Sequence, residues 1–231
     1  MAEVFGCTIQ GEGPAAGQPC AFVRLGGCNL SCSWCDTPYT WDASRFDLSK
    51  ELRQVPVEEL VEDTLEVLGK SSTLVLTGGE PLFQQGRDLY DFLERLQRHD
   101  VEVHVETNGT LAPTRALESL VALFVVSPKL GNAGSHRGRQ NPALNEEWRY
   151  VATRSNVALK LVCATVEDVH TAAELADSTR IGRHHTWVMP EGITPAALAD
   201  RFPPLADAAA ATGLNISHRL HVLAWGDKRG H

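Results

Sequence analysis

The sequence predicts an α/β fold built on a parallel sheet, and two regularities carry that prediction. Short β-type runs alternate with amphipathic helical patterns along the chain, an order that a parallel sheet with right-handed crossovers produces. Polar or glycine-rich turns also follow successive strands at the same end, and in parallel α/β folds and β/α barrels that edge binds ligands. No internal repeat, low-complexity tract or long like-charge block divides the 231 residues, so one domain over 1–231 is expected. A chain of this length buries roughly 70% of its unfolded surface and needs no staples.

The first strand is read at 21–25, where apolar residues surround a lone Arg24. A helix follows over 57–68, because Val57, Leu60, Val61, Thr64, Leu65 and Leu68 fall on one face at the helical period. The strand 73–77 ends in Gly78-Gly79-Glu80-Pro81, and Leu89, Phe92, Leu93 and Leu96 mark the next helix. Strand 101–106 ends in Thr107-Asn108-Gly109, and strand 123–126 in Ser127-Pro128-Lys129. Strand 159–162 precedes a helix with Val169, Ala172, Ala173 and Ala176 on one face, and 186–188 runs into Met189-Pro190-Glu191-Gly192. Pro195, after Thr194, opens an alanine-rich helix at its first position, and 220–223 reads as a last strand. Within 101–106, Val101, Val103 and Val105 face one way and Glu102, His104 and Glu106 the other. Inside the sheet that polar row must be hydrogen-bonded or face a ligand; at an edge it would be solvated.

Apolar residues make up 43% of the chain and charged ones 22%. Lys plus Arg number 21 against 29 Asp plus Glu, a net charge of −8 that argues against nonspecific nucleic-acid binding but allows a local basic pocket. No apolar run approaches the ~20 residues of a membrane span, and the start Met1-Ala2-Glu3-Val4-Phe5-Gly6-Cys7-Thr8 has no secretory pattern. A soluble, cytoplasmic protein without membrane or nucleic-acid partners is expected. Of the cysteines, Cys7, Cys20 and Cys163 lie in apolar surroundings and are expected to be small buried hydrophobes.

The others form Cys28-Asn29-Leu30-Ser31-Cys32-Ser33-Trp34-Cys35, a C-x3-C-x2-C loop just after the first strand. Three thiolates so close together can hold three corners of a [4Fe–4S] cube and leave the fourth iron open. A zinc ion completed by a distant histidine is the alternative that spacing alone leaves standing. The loop resembles the cluster loop of the radical S-adenosylmethionine (SAM) superfamily, and Gly78-Gly79-Glu80-Pro81 matches that family's GGEP motif. The resemblance implies an incomplete (partial) β/α TIM-like barrel of parallel strands. It also implies a [4Fe–4S] cluster on Cys28, Cys32 and Cys35, and SAM as the source of a 5′-deoxyadenosyl radical. The SAM site it implies comprises Trp34, Asp36, Gly78, Gly79, Glu80, Ser127, Pro128, Lys129, Met189, Pro190, Glu191 and Gly192.

Within that superfamily the chain resembles the 7-carboxy-7-deazaguanine synthases. The resemblance runs from Thr8-Ile9-Gln10-Gly11-Glu12-Gly13-Pro14 through Phe22-Val23-Arg24-Leu25-Gly26-Gly27 and Asp36-Thr37 to Leu220-His221, Trp225-Gly226 and Lys228-Arg229-Gly230. It implies ring contraction of 6-carboxy-5,6,7,8-tetrahydropterin with release of ammonia, in 7-deazapurine (queuosine-type) biosynthesis, with no side-chain nucleophile. It further implies Mg2+ at Thr37, substrate contacts at Ile9, Gln10, Gly11, Glu12, Arg24 and Thr77, an electron donor such as flavodoxin or ferredoxin, and a homodimer. Another radical SAM enzyme, such as a glycyl-radical activase, is the rival.

Two features can be argued without the resemblance. A guanidinium inside an apolar strand requires an anion, which for Arg24 is either a substrate carboxylate or an internal glutamate. Gln10-Gly11-Glu12-Gly13 sets an amide and a carboxylate between glycines, as either a ligand-reading segment or a plain turn. Met189-Pro190 stands where many relatives have Gln-Pro, and 130–140, with His136, Arg137 and Arg139, matches no family motif. That stretch is either a basic lid or an ordinary surface loop.

Overall fold

Eight strands lie side by side in the order in which the chain makes them. They are β1 Glu3–Ile9, β2 Pro19–Leu25, β3 Thr73–Gly78, β4 Glu102–Thr107, β5 Leu123–Val126, β6 Val157–Cys163, β7 Thr186–Pro190 and β8 Asn215–Ile216. The helices are α1 Leu48–Glu51, α2 Val57–Leu68, α3 Arg87–Gln97, α4 Arg115–Glu118, α5 Trp148–Val151, α6 Val166–Ser178, α7 Pro195–Thr212 and α8 Leu220–Trp225. This computed structural model describes residues 1–230. Every pairing from β2–β3 to β7–β8 is parallel. Among the described residues no pairing joins β8 to β1, so the sheet is an open, partial barrel.

The alternation read in 101–106 governs the whole sheet. Val23, Leu76, Val105, Val126 and Leu161 point outward and pack with Phe92, Leu93, Leu96, Val169 and Leu205 from the helices in one continuous core. Each such fully buried side chain contributes about 1.5–3 kcal/mol relative to exposure. The other row points inward, and it holds Arg24, Thr77, Glu106 and Lys160. Strand β4 lies between β3 and β5, so His104 and Glu106 of its polar row are enclosed by the sheet, while Glu102 at its start is exposed.

Three expectations are corrected. The first pair, β1–β2, is antiparallel; residues 10–18 are too few for the helical crossover that a parallel pair needs. Residues 220–223 belong to helix α8, and the last strand is the two-residue β8. A four-residue apolar run does not distinguish helix from strand by its period, and here Val222 alone of the run is fully buried. Cys20 and Cys163 are buried as expected, but Cys7 is exposed. The register of β1 slips between Phe5 and Thr8, Cys7 takes φ 54°, and Thr8 turns inward in its place.

Candidate active site

The inward rows and the turns at the carboxyl ends of the strands enclose one cavity with two unlike walls.

The first wall is the cysteine loop and the turns that support it. Cys28, Cys32 and Cys35 all face the cavity. Behind them the chain is joined backbone to backbone: Gly79 N–H donates to Leu25 O at 3.0 Å and Glu80 N–H to Gly27 O at 2.8 Å. A side chain on Gly79 would place its Cβ 2.0 Å from Gly27 O, and Gly78, at φ 133°, would meet Leu25 O at 2.2 Å. The glycine pair is therefore what lets the two loops touch. Glu80 does not reach the cavity. Its carboxylate is fully buried and accepts from Leu82 N–H (2.9 Å), Thr107 Oγ1 (2.7 Å) and Asn108 N–H (2.7 Å), so it pins the end of β4 to the GGEP turn. Burial pushes its pKa up against these donors.

The three sulfurs fit an iron–sulfur cluster by the company they keep. Leu30 N–H donates to Cys28 Sγ at 3.4 Å and Trp41 Nε1–H to Cys35 Sγ at 3.4 Å, bonds that favour the thiolate form. Burial holds the Cys28 thiol up at about 11, a cost that binding iron reverses because a coordinating thiol is deprotonated. Among the described residues no three His, Cys, Asp or Glu side chains gather around one point as a single-ion site requires. Trp34 lines the cavity beside them, with Lys129 Nζ 5.4 Å above its ring and Asn132 Oδ1 accepting from its Nε1 at 3.2 Å. Lys129 Nζ in turn donates to Ser127 Oγ at 2.9 Å.

Asn132 belongs to the stretch 130–140, which the structure docks against the cysteine loop, so it is no ordinary surface loop. Ser33 N–H donates to Ala133 O (3.0 Å), Ser31 N–H to His136 Nδ1 (2.9 Å), and Arg137 N–H to Ser31 Oγ (3.0 Å). Leu130, Ala133 and His136 are buried, which is why the segment stays on the protein. Asn132 Nδ2 also donates to Val162 O and to Asp168 Oδ2, the carboxylate that caps α6.

The second wall is charged. Glu12 sits between Lys160 Nζ (2.6 Å) and Arg219 Nε (2.9 Å), with His221 Nε2 at 3.9 Å. Burial raises its pKa, but Lys160 and then Arg219 and His221 more than offset this and hold it well below the usual carboxylate range. Glu106 takes Lys160 Nζ (3.0 Å) and Gln10 Nε2 (3.3 Å) on one oxygen and Thr77 Oγ1 (2.9 Å) on the other. Arg219 also bonds Asp36 and donates to Gly192 O at 2.6 Å. Burial opposes the charge on Lys160 and on Arg219, and the neighbouring carboxylates raise both pKa values nonetheless. Gly11 approaches His221 so closely that a Cβ there would lie 2.0 Å from the ring nitrogen. Arg24 has the internal glutamate as its partner: its Nε pairs with Glu3 at 3.3 Å, and its side chain also lines the cavity.

Ile9, Gln10, Gly11 and Glu12 line the cavity. Thr37, Asp36, Ser127, Lys129, Met189, Glu191 and Gly192 line it too, whereas Pro128 and Pro190, like Glu80, do not. Thr37 Oγ1 lies 3.8 Å from Cys35 Sγ. Lys160, Arg219 and Trp41 were not anticipated from the sequence. Lys160 carried the same signal as Arg24, a lone cation in the apolar run V-A-L-K-L-V-C; Arg219 carried none.

The sequence model of the radical SAM superfamily matches residues 22–131. The chain is 35% identical to 7-carboxy-7-deazaguanine synthase of Pyrobaculum aerophilum, over 99% of its own length and 95% of that protein. It is also 35% identical to the synthase of the same name from Hyperthermus butylicus, over 96% and 91% of the two chains. The crystal structure of QueE from Escherichia coli superposes with a TM-score of 0.64 at 26% identity, over 95% of this chain and 93% of that one.

Proposed function

This chain belongs to the 7-carboxy-7-deazaguanine synthases of the radical SAM superfamily, and from that membership we propose how its cavity serves the reaction. It is a carbon–nitrogen lyase that contracts 6-carboxy-5,6,7,8-tetrahydropterin to 7-carboxy-7-deazaguanine with release of ammonia, in the biosynthesis of queuosine-type 7-deazapurines. The observation that carries the reading is that the cysteine wall and the charged wall face one another across a single cavity.

The [4Fe–4S] cluster and SAM, which the family implies, supply when bound a 5′-deoxyadenosyl radical that abstracts hydrogen from the substrate. Cys28, Cys32 and Cys35 are the residues that would hold the cluster, and the backbone of Gly78 and Gly79 with Trp34, Ser127 and Lys129 would hold SAM. Arg24 offers the planar fork that suits the substrate carboxylate: Glu3 occupies its Nε, and among the described residues its terminal nitrogens take no protein hydrogen bond. Gln10, Glu12 and Glu106 offer the amide and carboxylate oxygens that a pterin ring's N–H groups require. Thr37, one neutral hydroxyl, suits a Mg2+ ion that takes its remaining oxygens from substrate and water. No side chain acts as a nucleophile; the protein orients the substrate and excludes water. The charges face inward, a disposition with no use in an activase that works on a partner protein's backbone.

The remaining expectations complete the proposal: a single domain over 1–231, a homodimer, a small reducing protein such as flavodoxin or ferredoxin as electron donor, and a cytoplasmic setting. No helix among the described residues is long and apolar enough to cross a membrane. The test is anaerobic reconstitution with iron and sulfide, then supply of the carboxypterin, SAM and a reductant. The deazaguanine should appear in excess of SAM supplied, because SAM is regenerated. Absence of the product defeats the reading, and a one-to-one ratio makes SAM a co-substrate.

A further inference from the structure

Lys160 enters the cavity from the middle of β6 with apolar neighbours on either side in the chain, and its side chain is only 6% exposed. Its ammonium lies 2.6 Å from Glu12 and 3.0 Å from Glu106, carboxylates delivered by the β1–β2 connection and by β4. The stem is confined as well: a Cβ on Gly13 would lie 3.4 Å from Lys160 Cδ. Gln10 closes the circuit, since its Nε2 donates to Glu106 and its Oε1 accepts from Glu12 N–H at 3.1 Å.

We propose that Lys160 is a positioning residue that keeps Glu12 and Glu106 together as two ionised acceptors on the cavity floor, ready for the N–H donors of an aminopyrimidine ring. The inference rests on the pterin reading above. An aminopyrimidine edge presents adjacent ring and amine N–H groups, and a carboxylate accepts both only while it is ionised. Two carboxylates enclosed together do not both stay ionised without a cation between them. The other charged or titratable groups facing this floor are Arg24 and Cys20 from β2, His104 from β4, Asp36 from the cysteine loop, and Arg219 and His221 beyond β8. Arg219 shares Glu12 with Lys160 but reaches Asp36 rather than Glu106, so no other cation bridges the pair among the described residues.

The probe is 6-carboxypterin, the stable oxidised analogue, followed by its fluorescence on binding to reconstituted wild type, K160M and K160R between about pH 5.5 and 8. The wild type should bind with an affinity that changes little over this range. K160M should bind at least about thirtyfold more weakly at neutral pH, as loss of one partner of a buried charge pair requires. Its affinity should fall further as pH is lowered, because a carboxylate that takes up a proton stops accepting. K160R should restore the flat profile, and iron content and SAM affinity should match wild type in both variants. Should K160M fail to fold, K160M/E106Q removes one carboxylate along with the cation and should bind with a flat profile. Wild-type affinity and a flat profile in K160M, the same slope in K160R as in K160M, or a slope that persists in the double variant overturns the inference. These outcomes leave the pterin reading standing if wild type converts the tetrahydropterin; failure of wild type to convert it defeats that reading itself.

Discussion

The two walls of the cavity are assembled on opposite plans. The cysteines of the first wall are neighbours in sequence, and main-chain bonds to turns further along the chain hold it: Gly79 to Leu25, Glu80 to Gly27, Ser33 to Ala133. The charged wall comes from Glu12, Glu106, Lys160 and Arg219, residues from distant parts of the chain joined by side-chain ion pairs. One wall depends on where the backbone runs, the other on which charges meet. A wall of the first kind should fail abruptly, and one of the second kind by degrees and with pH.

The sharpest break is Cys32→Ala. A cube left with two protein thiolates is poorly held, so iron content, brown colour and turnover should all be lost; full activity in this variant is incompatible with the cluster assignment. Gly79→Ala comes next, because it adds an atom where Gly27 O already stands. Overpacking of this kind costs about 1–3 kcal/mol or more, and it should weaken SAM binding by about tenfold or more while the cysteines remain. Normal SAM affinity in that variant would show that the two loops can separate freely.

On the charged wall, Arg24→Ala should raise the pterin KM about a hundredfold and leave SAM affinity near wild type, given that a charge-assisted bidentate pair is lost. Equal losses for both ligands would mean that Arg24 only supports the fold through Glu3. The mildest effect is expected from Glu12→Gln, and it should depend on pH. Glu12 has a lowered pKa in the folded chain, so the stability it contributes is present above the ordinary glutamate pKa and is lost as pH falls toward the depressed value. At neutral pH the variant should melt several degrees below wild type, since each kcal/mol moves Tm by about 2–4 °C in a chain of this size. That gap should narrow as the solution is acidified through the carboxylate range, and a gap that stays constant would place the loss in packing rather than in charge.

The same contrast explains what the sequence made legible. Cys28, Cys32 and Cys35 are close in the chain, so their spacing already encodes the site, and the glycine pair at 78–79 declares a close approach without saying to what. Strands β2 to β7 were legible because parallel strands covered by helices must show an apolar row. Strand β1 was missed because Gly6 and the bulged Cys7 interrupt its alternation. Arg219 could not be found, because its value comes from what meets it in space: Glu12 and Asp36 lie far upstream. Lys160 could have been found by the argument applied to Arg24, that a cation in an apolar strand requires an anion.

Arg219 has a consequence for how the molecule comes into being. Glu12 and Arg219 are separated by 207 positions, and chains leave the ribosome amino end first. A nascent polypeptide therefore exposes all of its sulfur ligands, and the glutamate they face, long before the guanidinium that balances that glutamate has been translated. Metal could be captured early, but the other half of the chamber is completed only as synthesis passes residue 219.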